Sequence, residues 1–235
     1  MNCWDFFDKI YCISLEHRRD RRGHAEREFG KVGLQDRVEF IAAEHRPRDS
    51  ERGIYTSHIR CMRMGIQSGA QRIMIFEDDV VFDRFDPSRF IRSVDYLRGL
   101  PQWEAFFLGC LVSGSRPTGD PSIRRVSYRS LAHAYVLNRP FAEKIVTTPW
   151  SGKPIDAMLR DAVQRAYAVY PAVAFQSNAS SDNHRLRGLD LFRRLCGGLR
   201  FIQMMNERCH RHFKTILVIH LLVGLALVGG FFIFH

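Results

Sequence analysis

Three consecutive carboxylates follow directly on an apolar run: Glu77, Asp78 and Asp79 come after Ile73 to Phe76. Four apolar residues in a row are typical of a strand that is buried on both faces of a parallel sheet. In an open α/β sheet, the ligand crevice lies beyond the carboxyl ends of the strands. The three acids are therefore expected at a ligand site, although a solvated acidic turn that closes a strand would have the same composition.

The spacing of these acids also suggests a metal. In an extended chain, Glu77 and Asp79 point to one side and Asp78 points to the other. Hard carboxylate oxygens suit Mg²⁺ or Mn²⁺, and a diphosphate can complete the coordination shell. We therefore predict that Glu77 and Asp79 share one divalent cation at the tip of this strand.

The elements that must position these acids alternate between strand and helix patterns, which indicates an α/β fold. A chain of 235 residues holds one such domain with a real core. Ser57 is the predicted N-cap of a helix that carries His58 in its first turn. Residues 111–124, rich in Gly, Ser and Pro, are predicted to form a flexible loop. The predicted strands cover 9–15, 38–42, 73–76, 103–109, 131–137 and 167–175, and the predicted helices cover 57–68, 87–97, 140–147 and 154–166.

The net charge of +10 raises the possibility of a nucleic-acid partner. The basic residues, however, are concentrated in Arg18–Arg22 and in His184–Lys214, and no zinc finger, helix-turn-helix or aromatic RNA-binding signature accompanies them. We therefore expect no nucleic-acid partner. The six cysteines include no C-x-x-C pair, which favours free thiols in a reducing compartment.

The C-terminal region predicts attachment to a membrane. Residues 216–234 contain no Asp, Glu, Lys or Arg and are long enough to span a bilayer as one helix. Basic residues precede this run, and residues 1–8 show no signal-peptide pattern, so the globular part is expected on the cytoplasmic side. The predicted organisation is a catalytic domain at 1–185, a basic juxtamembrane helical segment on anionic lipid at 186–214, and a transmembrane helix at 215–235.

Several segments, taken in order, resemble glycosyltransferase family 25, which includes bacterial lipopolysaccharide galactosyltransferases and animal collagen galactosyltransferases. The resemblance covers roughly residues 9 to 185. This sequence departs from the family pattern at Ser14, where Asn is usual, at Glu104, where Asp is common, and at Gly53-Ile-Tyr55. The matching segments are Ser14-Leu15, Arg18-Arg19-Asp20-Arg21, Ser57-His58, Ile75-Phe-Glu-Asp-Asp-Val80, Trp103 to Gly109, Ala132-His-Ala-Tyr135, Pro154-Ile-Asp156 and Gln176-Ser177.

The resemblance implies a GT-A-like nucleotide-sugar transferase fold and the transfer of galactose or glucose from a UDP-sugar. The acceptor would be a saccharide or a lipid-linked glycan, as in lipopolysaccharide or surface-glycan synthesis. The cation, Mn²⁺ or Mg²⁺, would bridge the donor diphosphate to the protein and assist the departure of UDP. A carboxylate near the acceptor hydroxyl would take its proton in an inverting transfer.

The same resemblance suggests a role for each candidate residue. Asp156 is the candidate base or acceptor-positioning group, and His58 positions donor or acceptor. Asp182 and His184 are candidates for a further metal contact. The candidates for donor contacts are Ser14, Leu15, Arg18, Arg21 and Asp78, and those for the metal are Glu77 and Asp79.

Two rival functions remain open on the sequence. One is a catalytically inactive, membrane-anchored binding protein built on the same fold, in which the carboxylates would tolerate substitution. The other is a metal-dependent phosphatase or nucleotidyltransferase, but the glycine-rich phosphate loop or second acidic cluster of such enzymes is not visible here.

Overall fold

The computed structural model describes residues 2–43, 46, 49–177, 197–213 and 215–218. Asp182, His184 and most of the predicted membrane span lie outside these residues. The strands are β1 (Lys9–Leu15), β2 (Glu39–Ala43), β3 (Arg72–Glu77), β4 (Val80–Phe82), β5 (Ala105–Phe107), β6 (Leu111–Pro117), β7 (Ile123–Ser130), β8 (Ala134–Asn138), β9 (Ala166–Val169) and β10 (Ala174–Gln176). The helices are α1 (Arg19–Val32), α2 (Ser50–Gln67), α3 (Pro87–Gly99), α4 (Arg139–Thr147), α5 (Ile155–Ala162) and α6 (Gly198–Arg211).

The fold is mixed α/β and is built on an eight-stranded sheet in the order β2-β1-β3-β8-β5-β9-β7-β6. Strand β1 is parallel to β2 and β3, and β5 is parallel to β9. The other neighbours are antiparallel, including β3 and β8. The prediction that β3 lies in a parallel sheet is therefore right on its β1 side and wrong on its β8 side. Strands β4 and β10 form a separate antiparallel pair.

Helices cover both faces of the large sheet, so β3 is buried on both sides as its apolar run predicts. One core contains Phe29 of α1 and Phe90 of α3, packed with Phe76 of β3. The other contains Met62 of α2 and Phe141 of α4, packed on the opposite face. Because successive side chains of a strand point to opposite faces, each apolar residue of β3 enters one of these two cores.

The three parallel strands on one side of the sheet create the site edge. Strands β1, β2 and β3 run in the same direction, so their carboxyl ends meet at one edge. Helices α1 and α2 follow β1 and β2 in the chain and therefore begin at that edge. The first turn of α1 and the N-terminal part of α2 thus flank the acidic end of β3, which is where α/β folds place ligands.

The predicted loop at 111–124 is wrong, because β6 and β7 form an antiparallel pair there. Strand hydrogen bonds use only the backbone, so glycine and serine do not prevent pairing at the end of a sheet, and register shifts between Leu111 and Gly114 absorb the irregularity. Helix α6 covers β6. The Asn206 side chain of α6 accepts a hydrogen bond from Val112 N at 2.9 Å and donates one to Val112 O at 3.0 Å.

The predicted N-cap at Ser57 is also wrong. Helix α2 begins seven residues earlier, at Ser50, and the Asp49 side chain accepts a hydrogen bond from Arg52 N at 3.2 Å. Ser57 lies inside the helix and donates to Gly53 O at 2.8 Å. His58 is therefore held within a continuous helix rather than in a frayed first turn.

Further boundaries differ from the sequence prediction: β5 covers Ala105–Phe107 rather than 103–109, and β8 covers Ala134–Asn138 rather than 131–137. The predicted strand 167–175 is split into β9 and β10, since Pro171 has no N–H and cannot continue a strand ladder. The predicted helix 154–166 ends at Ala162, and Ala166 already belongs to β9. Within the described residues, no helix combines the length and the apolar composition needed to cross a bilayer.

Gly109 offers a direct test of how the small sheet docks on the large one. A Cβ atom at this position would stand 1.8 Å from Ala174 O and 2.5 Å from Gln203 Nε2. We expect Gly109→Ala to lower the free energy of unfolding by about 3 kcal/mol or more, because the backbone of β10 cannot move aside cheaply. Denaturant unfolding of the full chain in mild detergent, followed by tryptophan fluorescence, measures the change.

Gly30 supplies the matched control. It lies in α1, and an added Cβ would meet nothing within 4 Å. We expect Gly30→Ala to be neutral or to stabilise by up to about 1 kcal/mol, since alanine favours helix. Equal effects of the two substitutions would contradict the packing described for Gly109.

Candidate active site

One arginine holds two of the three predicted acids together. Arg21 projects from the first turn of α1, and its guanidinium lies 3.3 Å from Asp78 Oδ1 and 2.9 Å from Asp79 Oδ2. All three side chains are mostly shielded from solvent, with exposures of 15%, 7% and 8%. Ser14, near the carboxyl end of β1, donates to Asp78 Oδ2 at 2.8 Å. The structure thus brings Ser14, Arg21, Asp78 and Asp79 together.

The acids do not follow the alternation expected of an extended chain. Strand β3 ends at Glu77, whose N–H donates to His133 O at 2.9 Å, and Asp78 and Asp79 form a turn. Asp79 O accepts from Ser177 N at 2.8 Å, which anchors this turn to the end of β10. Because of the turn, Asp78 and Asp79 both face Arg21, whereas Glu77 faces α2.

The Asp79 carboxylate is satisfied on one oxygen only. Its Oδ2 accepts from Arg21 Nη2 and from Gln176 Nε2, each at 2.9 Å. Its Oδ1 is buried and has no hydrogen-bond partner among the described residues. A buried carboxylate oxygen normally has a partner, so Oδ1 is available to meet a ligand or a cation.

Glu77 is held by a buried histidine. His58 Nε2 lies 3.2 Å from Glu77 Oε1, and His58 Nδ1 lies 2.8 Å from the Tyr135 hydroxyl. Burial lowers the pKa of His58 to about 4, so the ring is neutral near pH 7. A neutral ring has one donor and one acceptor: when Nε2–H donates to the carboxylate, Nδ1 accepts from Tyr135. Because a tyrosine hydroxyl can donate or accept, Tyr135 satisfies Nδ1 in either tautomer and fixes the plane of the ring that contacts Glu77.

The proton affinity of the acids is shifted in the direction expected for a crowded site. Burial, followed by the charges of Asp79, Asp156 and Asp78, raises the pKa of Glu77 well above its usual range. Burial also raises the pKa of Asp78, and the charge of Arg21 opposes that rise. Perturbed carboxylates at a strand end are typical of functional sites.

Asp156 stands at the start of α5 and ties that helix to the segment between β7 and β8. Its Oδ1 accepts from the Tyr128 hydroxyl at 2.7 Å and from Ala132 N at 2.9 Å, and its Oδ2 accepts from Leu131 N at 3.0 Å. The carboxylate is close enough to raise the pKa of Glu77 by its charge. Asp156 thus fixes the segment that follows β7. A hydroxyl group that bound to Asp156 would share a carboxylate oxygen that already accepts a hydrogen bond from the protein.

The remaining predicted donor residues lie around the end of β1. Leu15 is the last residue of β1, and its carbonyl accepts from Arg18 N at 3.0 Å. The Arg18 guanidinium pairs with Asp20 at 3.0 Å. That ion pair places the Arg18 side chain beside the first turn of α1, one turn from Arg21.

Three further residues of this region lie in segments that resemble the family, and the sequence alone assigns them no role. Gln176 donates to Asp79, and Tyr135 donates to or accepts from His58. His133 is 1% exposed, and neither of its ring nitrogens has a hydrogen-bond partner within the described part of the chain. His133 and Tyr135 both belong to the motif Ala132-His-Ala-Tyr135, which the sequence makes visible. Their position beside the acids, however, depends on the pairing of β3 with β8.

The fit of a divalent cation depends on Glu77 and Asp79. In the described ranges no group of three or more His, Cys, Asp or Glu side chains is arranged to hold a metal. Asp79 nevertheless offers one buried, unpartnered oxygen, and Glu77 has a second oxygen beyond the one at His58. The charge of Asp79 contributes to the raised pKa of Glu77, so the two carboxylates are near each other. Two such donors are fewer than a cation needs, so a cation here would have to take its other ligands from a bound ligand and water.

Comparison with curated proteins confirms the resemblance to glycosyltransferase family 25. The chain is 24% identical to a glycosyltransferase 25 family member of Drosophila pseudoobscura pseudoobscura, over 65% of this chain and 28% of the relative. It is 21% identical to one of Drosophila melanogaster, over 65% of this chain and 29% of the relative. The chain thus spans under a third of the length of these relatives. No family profile matches it.

Two solved structures resemble the fold at low identity. A glycosyltransferase involved in the glycosylation of the major capsid of PBCV-1 is 8% identical, with a TM-score of 0.46 over 78% of this chain and 98% of that one. The protein A197 from STIV is 11% identical, with a TM-score of 0.46 over 74% of this chain and 85% of that one.

The buried His58 predicts how stability depends on pH. With a pKa of about 4 in the folded chain and about 6.5 when unfolded, the histidine binds protons only in the unfolded state between these values. Stability should therefore fall as pH drops from 6.5 to 4, by about 3 kcal/mol from this group. Denaturant unfolding at several pH values measures the slope.

His58→Gln should flatten that slope, whatever its effect on stability near pH 7. His17→Gln, in the exposed segment after β1, is the matched control for the histidine-to-glutamine change. A wild-type slope retained in His58→Gln would show that His58 is not held neutral in the folded protein.

Proposed function

We propose that this chain is a glycosyltransferase with a GT-A-like fold that transfers a hexose, galactose or glucose, from a UDP-sugar to a saccharide or lipid-linked acceptor at a membrane. The observation that carries the proposal is the convergence of Arg21 and Ser14 on Asp78 and Asp79 at the carboxyl ends of the parallel strands. The resemblance to glycosyltransferase 25 family members supports the same reaction class.

The donor would bind where β1 ends. Arg21 carries five N–H donors, and its guanidinium uses only part of them on Asp78 and Asp79. Its Nε–H is buried without a partner among the residues the structure describes. A diphosphate at this edge would therefore find donors on Arg21 and Arg18, while Ser14, Leu15 and Asp78 shape the floor beneath the nucleotide.

Glu77 and Asp79 would hold the cation, Mn²⁺ or Mg²⁺, through the free oxygen of each carboxylate. When bound, such a cation offsets the charge that develops on the departing diphosphate. Arg21 and Gln176 fix Asp79, and His58 fixes Glu77, so both carboxylates are oriented before any ligand arrives. Carboxylates that are already held in place need little reorganisation when a cation binds, which favours binding.

The acceptor would approach from the side of α2 and α5. Asp156 is the candidate to receive or position the acceptor hydroxyl, and its contacts with Leu131 and Ala132 fix where that hydroxyl must sit. His58 contributes by holding Glu77 rather than by meeting substrate directly, because the ring is fully buried.

Helix α6 is the described element that would meet the membrane. Phe201 and Met205 are exposed at 49% and 39%, and Phe213 just beyond the helix is exposed at 59%. Arg208 and Arg211 lie in the last turn. Exposed apolar side chains beside basic ones are typical of a helix at an anionic lipid surface, which would bring the site near lipid-linked acceptors.

Donor turnover tests the reaction class. Purified full chain in detergent should release UDP slowly from UDP-galactose or UDP-glucose when Mn²⁺ is present, and chelation should abolish the release. Asp79→Asn should reduce the rate by about 100-fold or more, since a fixed charge-stabilising group in a shielded site contributes this order of rate.

The control for this experiment is Asp95→Asn, which alters an exposed ion pair with Arg98 in α3. It should retain the wild-type rate. No metal-dependent UDP release with either donor, together with no metal-dependent donor binding, would favour the inactive binding protein instead.

Two neighbouring arginines distinguish a specific contact with the donor from a general effect of positive charge on UDP binding. Arg21 faces the acids, whereas Arg22 is 55% exposed and pairs with Glu26 at 3.2 Å. We expect Arg21→Met to weaken binding of UDP by at least about tenfold, equivalent to roughly 1.4 kcal/mol, and Arg22→Met to change it little. Calorimetric titration with UDP measures both, and equal affinities would contradict a phosphate role for Arg21.

A further inference from the structure

A second group of side chains lies on the α2 side of the site and takes no part in the proposed binding of donor and metal. The rings of Tyr55 and Trp150 are stacked, with centroids 6.0 Å apart and an interplanar angle of 29°. The Arg52 guanidinium lies 5.2 Å from the centroid of the Trp150 ring. The Trp150 indole N–H donates to Lys153 O at 3.1 Å, which fixes the orientation of the ring.

This aromatic pair lies close to the catalytic edge. Tyr55 precedes His58 by three residues on α2, so the two side chains share one face of the helix and are one turn apart. Helix α2 begins at the carboxyl edge of the sheet, so Tyr55 lies farther out along that edge than His58. On the other side, Trp150 precedes Asp156 by six residues, in the segment that leads into α5.

The pair also lies on the wall opposite the proposed phosphate site. Phe29 of α1 packs in the core on one face of the sheet, and Met62 of α2 packs in the core on the other. Arg21 belongs to α1 and Tyr55 to α2. The edge of the sheet is therefore flanked by the basic side chain of Arg21 on the α1 side and by the aromatic side chain of Tyr55 on the α2 side.

The pair is not part of a sealed core. Trp4 and Trp103 are 0% and 8% exposed, whereas Trp150 and Tyr55 keep part of their surface in solvent and Arg52 is exposed. Indole and phenol rings present a broad apolar face with a polar tip, which suits a ligand that has an apolar face and a hydrogen-bonding rim. A pyranose ring has this form, with C–H bonds on its face and hydroxyls around its edge.

We propose that Tyr55 and Trp150 form a subsite for the acceptor saccharide, with a hexose ring packed on the exposed aromatic surface and its hydroxyls bonded to Arg52. This inference rests on the proposed glycosyl transfer, and it names a neutral hexose unit as the part of the acceptor that is recognised. The uracil base is the poorer occupant, because the groups proposed to bind the diphosphate lie on the α1 side of the edge, opposite the two rings.

Trp150 provides its own probe. It is the most exposed of the three tryptophans, so quenching of the whole chain by acrylamide should report mainly on this residue. Neutral oligosaccharides of two to four hexoses, glucose-based and galactose-based, should protect Trp150 from quenching with affinities in about the millimolar range. Uridine should give no protection at the same concentrations.

Variants of Tyr55 and Arg52 then identify the contact. Tyr55→Ala should weaken oligosaccharide binding by about tenfold, whereas Tyr55→Phe, which keeps the ring, should stay within about twofold. Arg52→Gln should weaken binding by severalfold. Ile91→Ala, which truncates an exposed side chain in α3, is the control and should bind as wild type.

The outcomes separate this inference from the function on which it rests. Metal-dependent UDP release without any protection of Trp150 by oligosaccharides would overturn the subsite and leave the transferase standing. Protection that Tyr55→Ala abolishes, in a chain that releases no UDP, would support the subsite and overturn the transfer reaction. Protection by uridine instead of oligosaccharides would show that the stack holds the nucleotide base.

Discussion

Three carboxylates at one strand end repel each other, and the site depends on the partners that separate them. Arg21 lies between Asp78 and Asp79, and His58 holds Glu77 on the other side of the strand. A buried charge that loses its partner costs several kcal/mol, so these contacts are conditions for the fold as much as for the chemistry. The turn at Asp78 and Asp79 makes the separation possible, because it breaks the alternation of β3.

The separation gives the edge two unlike sides. On the α1 side, Arg21 and Ser14 meet the acids with hydrogen-bond donors suited to phosphate oxygens. On the α2 side, His58 and Tyr135 form a buried, uncharged hydrogen-bonded pair, and the rings of Tyr55 and Trp150 lie farther out along α2. A reaction that joins a charged nucleotide-sugar donor to a neutral hydroxyl acceptor has the same asymmetry, which is why we propose glycosyl transfer at this edge rather than a solvated acidic turn.

The sequence was informative where local pattern and tertiary structure agree. The apolar run before Glu77 predicted β3 and the acidic edge, and the alternation of strands and helices predicted the α/β class. The sequence pattern gave a wrong prediction at 111–124, where backbone hydrogen bonding forms a strand from residues that favour loops. It also failed at Ser57, because Asp49 caps α2 earlier. The roles of Gln176 and Tyr135 depend on contacts across 97 and 77 residues, which no local spacing encodes.

The most direct test of this account is a crystal structure of the full chain with UDP and Mn²⁺, in which anomalous scattering locates the metal. We expect one Mn²⁺ bound by Asp79 Oδ1 and a Glu77 oxygen, with the diphosphate on Arg21 and the acceptor side of the edge open toward Tyr55 and Trp150. A diphosphate bound elsewhere, or Mn²⁺ absent from the acids while UDP is bound, would contradict it.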